Sequence, residues 1–207
     1  MSQNVTVDKK NLEEILLTCQ QIDKEVSPIL GMTSVTVEKI NSLKNMEFSV
    51  PLLGKQSAWK AVTMTFPGIG TVEGQLGSLN NQLSEWKNAA ASVSEHLPRV
   101  ISTIEQTGGA IKTNTQLQEE INISLLAFGT LKKKTDQIHT ILTPISMALD
   151  GAESGIKKAT KIPFLSQRIE PVAQSLEKMH TQVESLKEKT AAFSQNIGEQ
   201  SQKLSSA

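Results

Sequence analysis

The chain has 207 residues, enough for one domain or two small ones, and its 21 Lys and Arg balance 21 Asp and Glu. A formal net charge of zero supplies no broad positive field for nucleic acid. An aromatic content of 3%, with no Tyr, argues against a β-sandwich or an α/β enzyme and for amphipathic helices packed on aliphatic seams.

The start, "MSQNVTVDKKNLEE", is polar and lacks the apolar run of a signal peptide, and no stretch reaches 18 continuous apolar residues. The expected location is therefore cytoplasmic, with export without a cleavable signal as the alternative. The sequons at Asn4 and Asn122 carry little meaning on that reading. A first helix follows, with Leu12, Ile15, Cys19, Ile22, Val26 and Ile29 on one face. Cys19 sits at helical spacing within it and reads as a small buried hydrophobe; a lone cysteine builds no disulfide framework. Gly31 marks the expected end, and Pro28 either kinks the helix or stops it.

Residues 46–70, "MEFSVPLLGKQSAWKAVTMTFPGIG", are apolar without helical rhythm. Phe48-Ser49-Val50 alternates apolar and polar, and so does Val62 to Phe66, which is the period of a strand with one buried face. Gly54 and its polar neighbours turn the chain between them. The segment is thus expected to be a short β-hairpin or an extended apolar loop, with Pro51 shortening its strand. In one reading it closes the end of a helical core. In the other, Phe48, Val50, Leu52, Leu53, Trp59, Val62, Met64 and Phe66 form an interaction surface for a neighbouring subunit or a membrane.

Beyond it, Val72, Leu76, Leu79, Leu83, Trp86, Ala90, Val93 and Leu97 repeat at three- and four-residue steps, continuing past Pro98 to Ile104. Gly108-Gly109 breaks the pattern. A further helix carries Leu117, Ile121, Leu125, Phe128, Leu131, Ile138, Leu142 and Ile145, with Pro144 inside it. After a break between Gly151 and Pro163, the clearest seam of all runs from Ile169 through Val172, Leu176, Met179, Val183, Leu186, Thr190, Phe193 and Ile197 to Leu204. "QIDKEVSPI" (21–29) matches "QIHTILTPI" (137–145) at an offset of 116 residues (137 minus 21), and "VEGQLGSL" resembles "IEPVAQSL". These matches suggest an internal duplication in which only the first copy carries residues 46–70.

The expected fold is all-α: an elongated antiparallel helical bundle or coiled coil of about four long helices. Residues 1–107 would form a first helical hairpin with the apolar insertion 46–70, and residues 108–207 a second, the two packing as one domain. In that coarse plan, helices bearing an apolar β-tongue, the chain resembles the tongue-bearing α-pore-forming toxins. No family motif is matched, and no function is carried across.

No catalytic constellation is apparent. His96, His139 and His180 stand far apart, and the nearness of His180 to Glu177 and Glu184 is ordinary on a helix. "GIGTVEG" lacks the preceding strand and the Lys of a phosphate loop, and Lys132 to Lys134 read as a solvated face. The expectation is a non-enzymatic structural or scaffold protein that self-assembles or binds a helical partner, with no cofactor, metal, nucleic acid or small-molecule substrate. The alternative is a membrane-active helical protein that uses residues 46–70 as an apolar tongue.

Overall fold

The computed structural model describes residues 9–107, 115–162 and 165–205. About 89% of them are helical. The elements are α1 (Lys9–Lys44), β1 (Glu47–Val50), β2 (Gly54–Ser57), α2 (Ala58–Thr65), α3 (Ile69–Thr107), α4 (Thr115–Ala159) and α5 (Ser166–Ser205). Gly108-Gly109 and Pro163 lie outside the described residues, as do the side chains of Leu117 and Leu204.

Helical periodicity accounts for the four long elements. Every described seam residue of α3 from Val72 to Leu97 is buried, and so are Ile169, Leu176, Met179, Val183, Leu186 and Phe193 of α5. Gly31 does not end α1, which runs on to Lys44, because Thr33, Thr36, Ile40 and Leu43 continue the buried stripe. Its cost as a mid-helix glycine is only about 1 kcal/mol against alanine, less than that burial returns. Pro28, Pro98, Pro144 and Pro171 all lie inside helices that continue through them. The break expected from Gly151 begins later, since α4 extends to Ala159.

The chain divides into two compact units. The first comprises residues 1–26, 82–139 and 188–207. Its core holds Trp86, Phe128 and Phe193, with Trp86 and Phe193 edge to face at 6.3 Å between ring centroids. The Trp86 Nε1–H donates to Thr135 Oγ1 at 2.9 Å, which satisfies the indole in an otherwise apolar setting. Asp23 pairs with Lys87, Glu85 with Lys134 and Glu25 with Lys189, so α1 meets both α3 and α5 there, and α3 meets α4.

The second unit comprises residues 27–81 and 140–187. Its buried residues are mostly aliphatic, with Phe48 among them, and are interleaved with hydroxyls. Thr33 Oγ1 lies 2.8 Å from Asn80 Oδ1, and Thr36 Oγ1 lies 2.8 Å from Ser175 Oγ, with Thr33, Thr36 and Ser175 all buried. This unit also holds the hairpin and α2.

β1 and β2 pair antiparallel, from Glu47 opposite Ser57 to Val50 opposite Gly54. The expectation of a hairpin is met, but the expected second strand is not where the alternation placed it. Val62 to Phe66 are not a strand: residues 58–65 form α2, and β2 is the polar GKQS. Ser57 caps α2, its Oγ accepting from the Lys60 N–H at 3.3 Å, and Ala58 and Val62, four residues apart, are both buried. Val62 and Phe66 satisfy a period of two and a spacing of four alike, and the cap decides between them.

Candidate functional site

Residues 46–66 divide into anchors and presented groups. Phe48 and Val62 are buried, and Phe66 lies against α4. A Cβ on Gly155 would stand 2.3 Å from the Phe66 Cβ, and one on Gly151 would stand 3.3 Å from its ring, so the two glycines make the seat for Phe66. Ala58 N–H donates to Met46 O at 2.9 Å and closes the base of the hairpin. Arg168 of α5 donates to Glu47 O at 2.8 Å, and Lys44 pairs with Glu73 at 2.6 Å. Lys44 Nζ also lies 5.4 Å from the centroid of Trp59, which is half-buried beneath it.

The apex is different. Leu53 N–H donates to Val50 O at 3.1 Å, closing a turn whose central residues are Pro51 and Leu52. Pro51 suits the first central position, while the second holds Leu52 at φ +70°, in the region that favours glycine. Leu52 is fully exposed and Leu53 largely so, whereas Val50 is half-buried; Met64, on α2, is exposed too. The eight residues singled out in the sequence therefore do not form one surface. Phe48, Val62 and Phe66 hold the segment down, Val50 and Trp59 are intermediate, and Leu52, Leu53 and Met64 face solvent.

A second cluster was hidden from sequence reasoning. In the second unit, Ser146 and Glu153 of α4 face His180 and Glu184 of α5. His180 Nε2 lies 3.3 Å from Ser146 Oγ, and His180 Nδ1 lies 3.5 Å from Glu153 Oε2. Ser146 Oγ also donates to Glu184 Oε1, Lys157 pairs with Glu153, and Lys187 pairs with Glu184. The Lys157 ammonium beside Glu153 holds its carboxyl below the usual range, against desolvation, with His180 adding to the effect. The hydrogen bond from Ser146 does the same for Glu184, against desolvation, with Lys187 assisting. The atom order Ser Oγ, His Nε2, His Nδ1, carboxylate is that of a hydrolytic triad. Yet Ser146 is only 7% exposed and sits within a helix whose N–H groups serve the helical ladder, so no amide pair is free to hold an oxyanion there. The signal was the spacing: Ser146 and Glu153 recur seven apart, His180 and Glu184 four apart, each on one helix face.

In the first unit a groove of about 440 Å³ between α1 and α5 is lined by Thr18, Ile22, Phe193 and Asn196, with the Glu25–Lys189 pair beside it. Cys19 nearby is buried, and burial, with Asp23 adding, pushes its thiol up to about 12, which leaves it protonated and inert. Among the described residues no three His, Cys, Asp or Glu gather as a metal set, and no helix is long and apolar enough to cross a membrane.

No family model, curated protein or solved structure matches the chain.

Proposed function

We propose that the protein is a non-enzymatic helical scaffold that binds a copy of itself or a helical partner, with the hairpin apex as its presented contact. In the first unit, paired side chains join α1 to α3, α3 to α4, α4 to α5 and α5 to α1, which supports reading the long helices as a four-helix bundle. Within that unit Lys9 pairs with Glu105 and Asp23 with Lys87, so α1 and α3 run in opposite senses.

The observation that carries the proposal is the apex. A leucine held at φ +70° and wholly in solvent gains nothing from the fold, and glycine or asparagine would suit that turn better. Apolar side chains kept where they cost backbone strain are best explained by a partner that buries them. A membrane surface is the second reading, favoured by exposed Lys55 and Lys60, which follow the apolar apex in the chain, Lys55 being paired with Glu47 across the hairpin.

The double substitution Leu52→Ser with Leu53→Ser tests both, because it leaves Phe48, Val62 and Phe66 seated. Light scattering of the full chain should show a lower mass or weaker self-association with the fold retained. Lost binding to anionic lipid vesicles at unchanged mass would instead favour the membrane. No change in either would reject the apex as a contact.

A further inference from the structure

The groove between α1 and α5 of the first unit joins an apolar lining to charge gathered at one end. Ile22, Ala192 and Phe193 line it, with Ile22 and Phe193 reaching into the core. Glu25 pairs with Lys189, and from that pair the walls run back along α1 to Thr18 and on along α5 to Asn196. Seven residue steps (25 minus 18) make about 10 Å of helix. Lys24 stands at the charged end too. Among the described residues it has no carboxylate partner, since Glu25 is taken by Lys189 and the neighbouring Asp23 by Lys87. The lining thus holds two ammonium groups, Lys24 and Lys189, against one carboxylate, Glu25. At the other end the Thr18 hydroxyl donates to Glu14 O at 2.8 Å, and Asn196 Oδ1 is sealed from solvent.

An excess cation at one end of an apolar trough is complementary to an amphiphile with one tail and an anionic head. Volume argues against a helix: a cylinder about 10 Å wide over that length needs roughly 800 Å³, against about 440 Å³ in the groove, so a docked helix would lie largely outside it. An extended alkyl chain of about eight carbons spans the same length. We infer that this groove is a binding site for a monomeric anionic amphiphile of the fatty-acid class. Its carboxylate meets Lys24, and its chain runs along Ile22, Ala192 and Phe193. The site is separate from the hairpin apex and does not depend on the contact proposed there. Each buried methylene tightens binding by up to about fourfold until the chain outruns the groove. The head contributes less, about twofold to fivefold, as for an ion pair in contact with solvent.

The test is titration calorimetry of the full chain with hexanoate, octanoate and decanoate, each below its micellar concentration. One saturable site is expected, tightening by up to about fourfold per methylene as far as octanoate and little beyond it. Octylammonium should bind more weakly than octanoate. Lys24→Gln should weaken octanoate about twofold to fivefold and leave octan-1-ol unchanged. Trp86 meets Phe193 at 6.3 Å, so in a Trp59→Phe background octanoate should also shift the Trp86 emission. Ala192→Phe fills the groove from an exposed position and should abolish binding with the fold retained. Should that variant fail to fold, the chain-length and head-group series on the native chain decides. No saturable binding, an affinity indifferent to chain length, or equal affinity for octanoate and octylammonium would overturn the inference. Loss of octanoate binding in the Leu52→Ser, Leu53→Ser variant would place the amphiphile at the hairpin and overturn it too. So would binding to anionic vesicles without binding to free octanoate, which belongs to the membrane reading of the apex.

Discussion

The two units solve the same packing problem with different materials. The first fills its centre with rings: Trp86, Phe128 and Phe193 are fully or almost fully buried, and one indole N–H is answered by Thr135. Among its described residues the second interleaves aliphatic side chains with Thr33, Thr36 and Ser175, and takes the rings of Phe48 and Phe66 from its own connecting segment. Large rings contribute burial that cannot be replaced piecemeal. Small hydroxyls contribute less energy but fix which turn of one helix faces which turn of the next.

The largest expected effect is therefore in the first unit. Trp86→Ala should cost about 3–5 kcal/mol, read as a fall in unfolding midpoint. A loss near 1 kcal/mol would mean that the ring cluster is not the centre of that unit. Next comes the seat of Phe66. Gly155→Ala should cost about 1–3 kcal/mol by overpacking, and the added substitution Phe66→Ala should make the alanine tolerable. If Gly155→Ala is neutral by itself, Phe66 is not held where the structure shows it.

A smaller effect separates hydrogen bonding from packing in the second unit. Thr36→Val should lose about 1–2 kcal/mol by leaving Ser175 without its partner, and Thr36→Val with Ser175→Ala should recover most of it. Equal losses for the single and double variants would deny the hydroxyls a shared role. The smallest effect has the opposite sign. Leu52→Gly should stabilise the chain by up to about 1 kcal/mol, since glycine adopts φ +70° freely, at the expense of the proposed contact. A destabilised Leu52→Gly would show that the leucine is packed after all.

The helices were legible because a one-sided stripe leaves a repeating mark in the sequence, and among the described side chains from Leu12 to Ile197 that mark fell, the half-buried Leu125 apart, on residues now found buried. Gly31 misled because a breaker acts through a modest local cost, which three further turns of burial outweigh. The strand assigned to Val62 to Phe66 failed for a different reason. Five residues cannot distinguish alternation from a single helical turn, and the deciding group, the Ser57 hydroxyl, lies outside the alternating residues. The His180 cluster was only half legible: spacing puts Ser146 with Glu153 and His180 with Glu184 on one face of each helix, but Ser146 and His180 are 34 residues apart and meet only once α4 and α5 are packed. What the sequence did contain was a serine beside Ile145 on a buried face, a polar group that needed a partner.

The placement of the two tryptophans has a spectroscopic consequence. Trp86 belongs to the first unit and is sealed, whereas Trp59 belongs to the second and lies half-open beneath a lysine ammonium. Each unit thus carries one intrinsic fluorophore in a distinct dielectric setting. Single-tryptophan variants would report the two unfolding transitions in separate colours, without labels. Coincident melting curves would mean that strain in one unit is felt at once in the other. Separated curves would mean that helices continuous in sequence melt in blocks, so that one unit can open while the other remains folded.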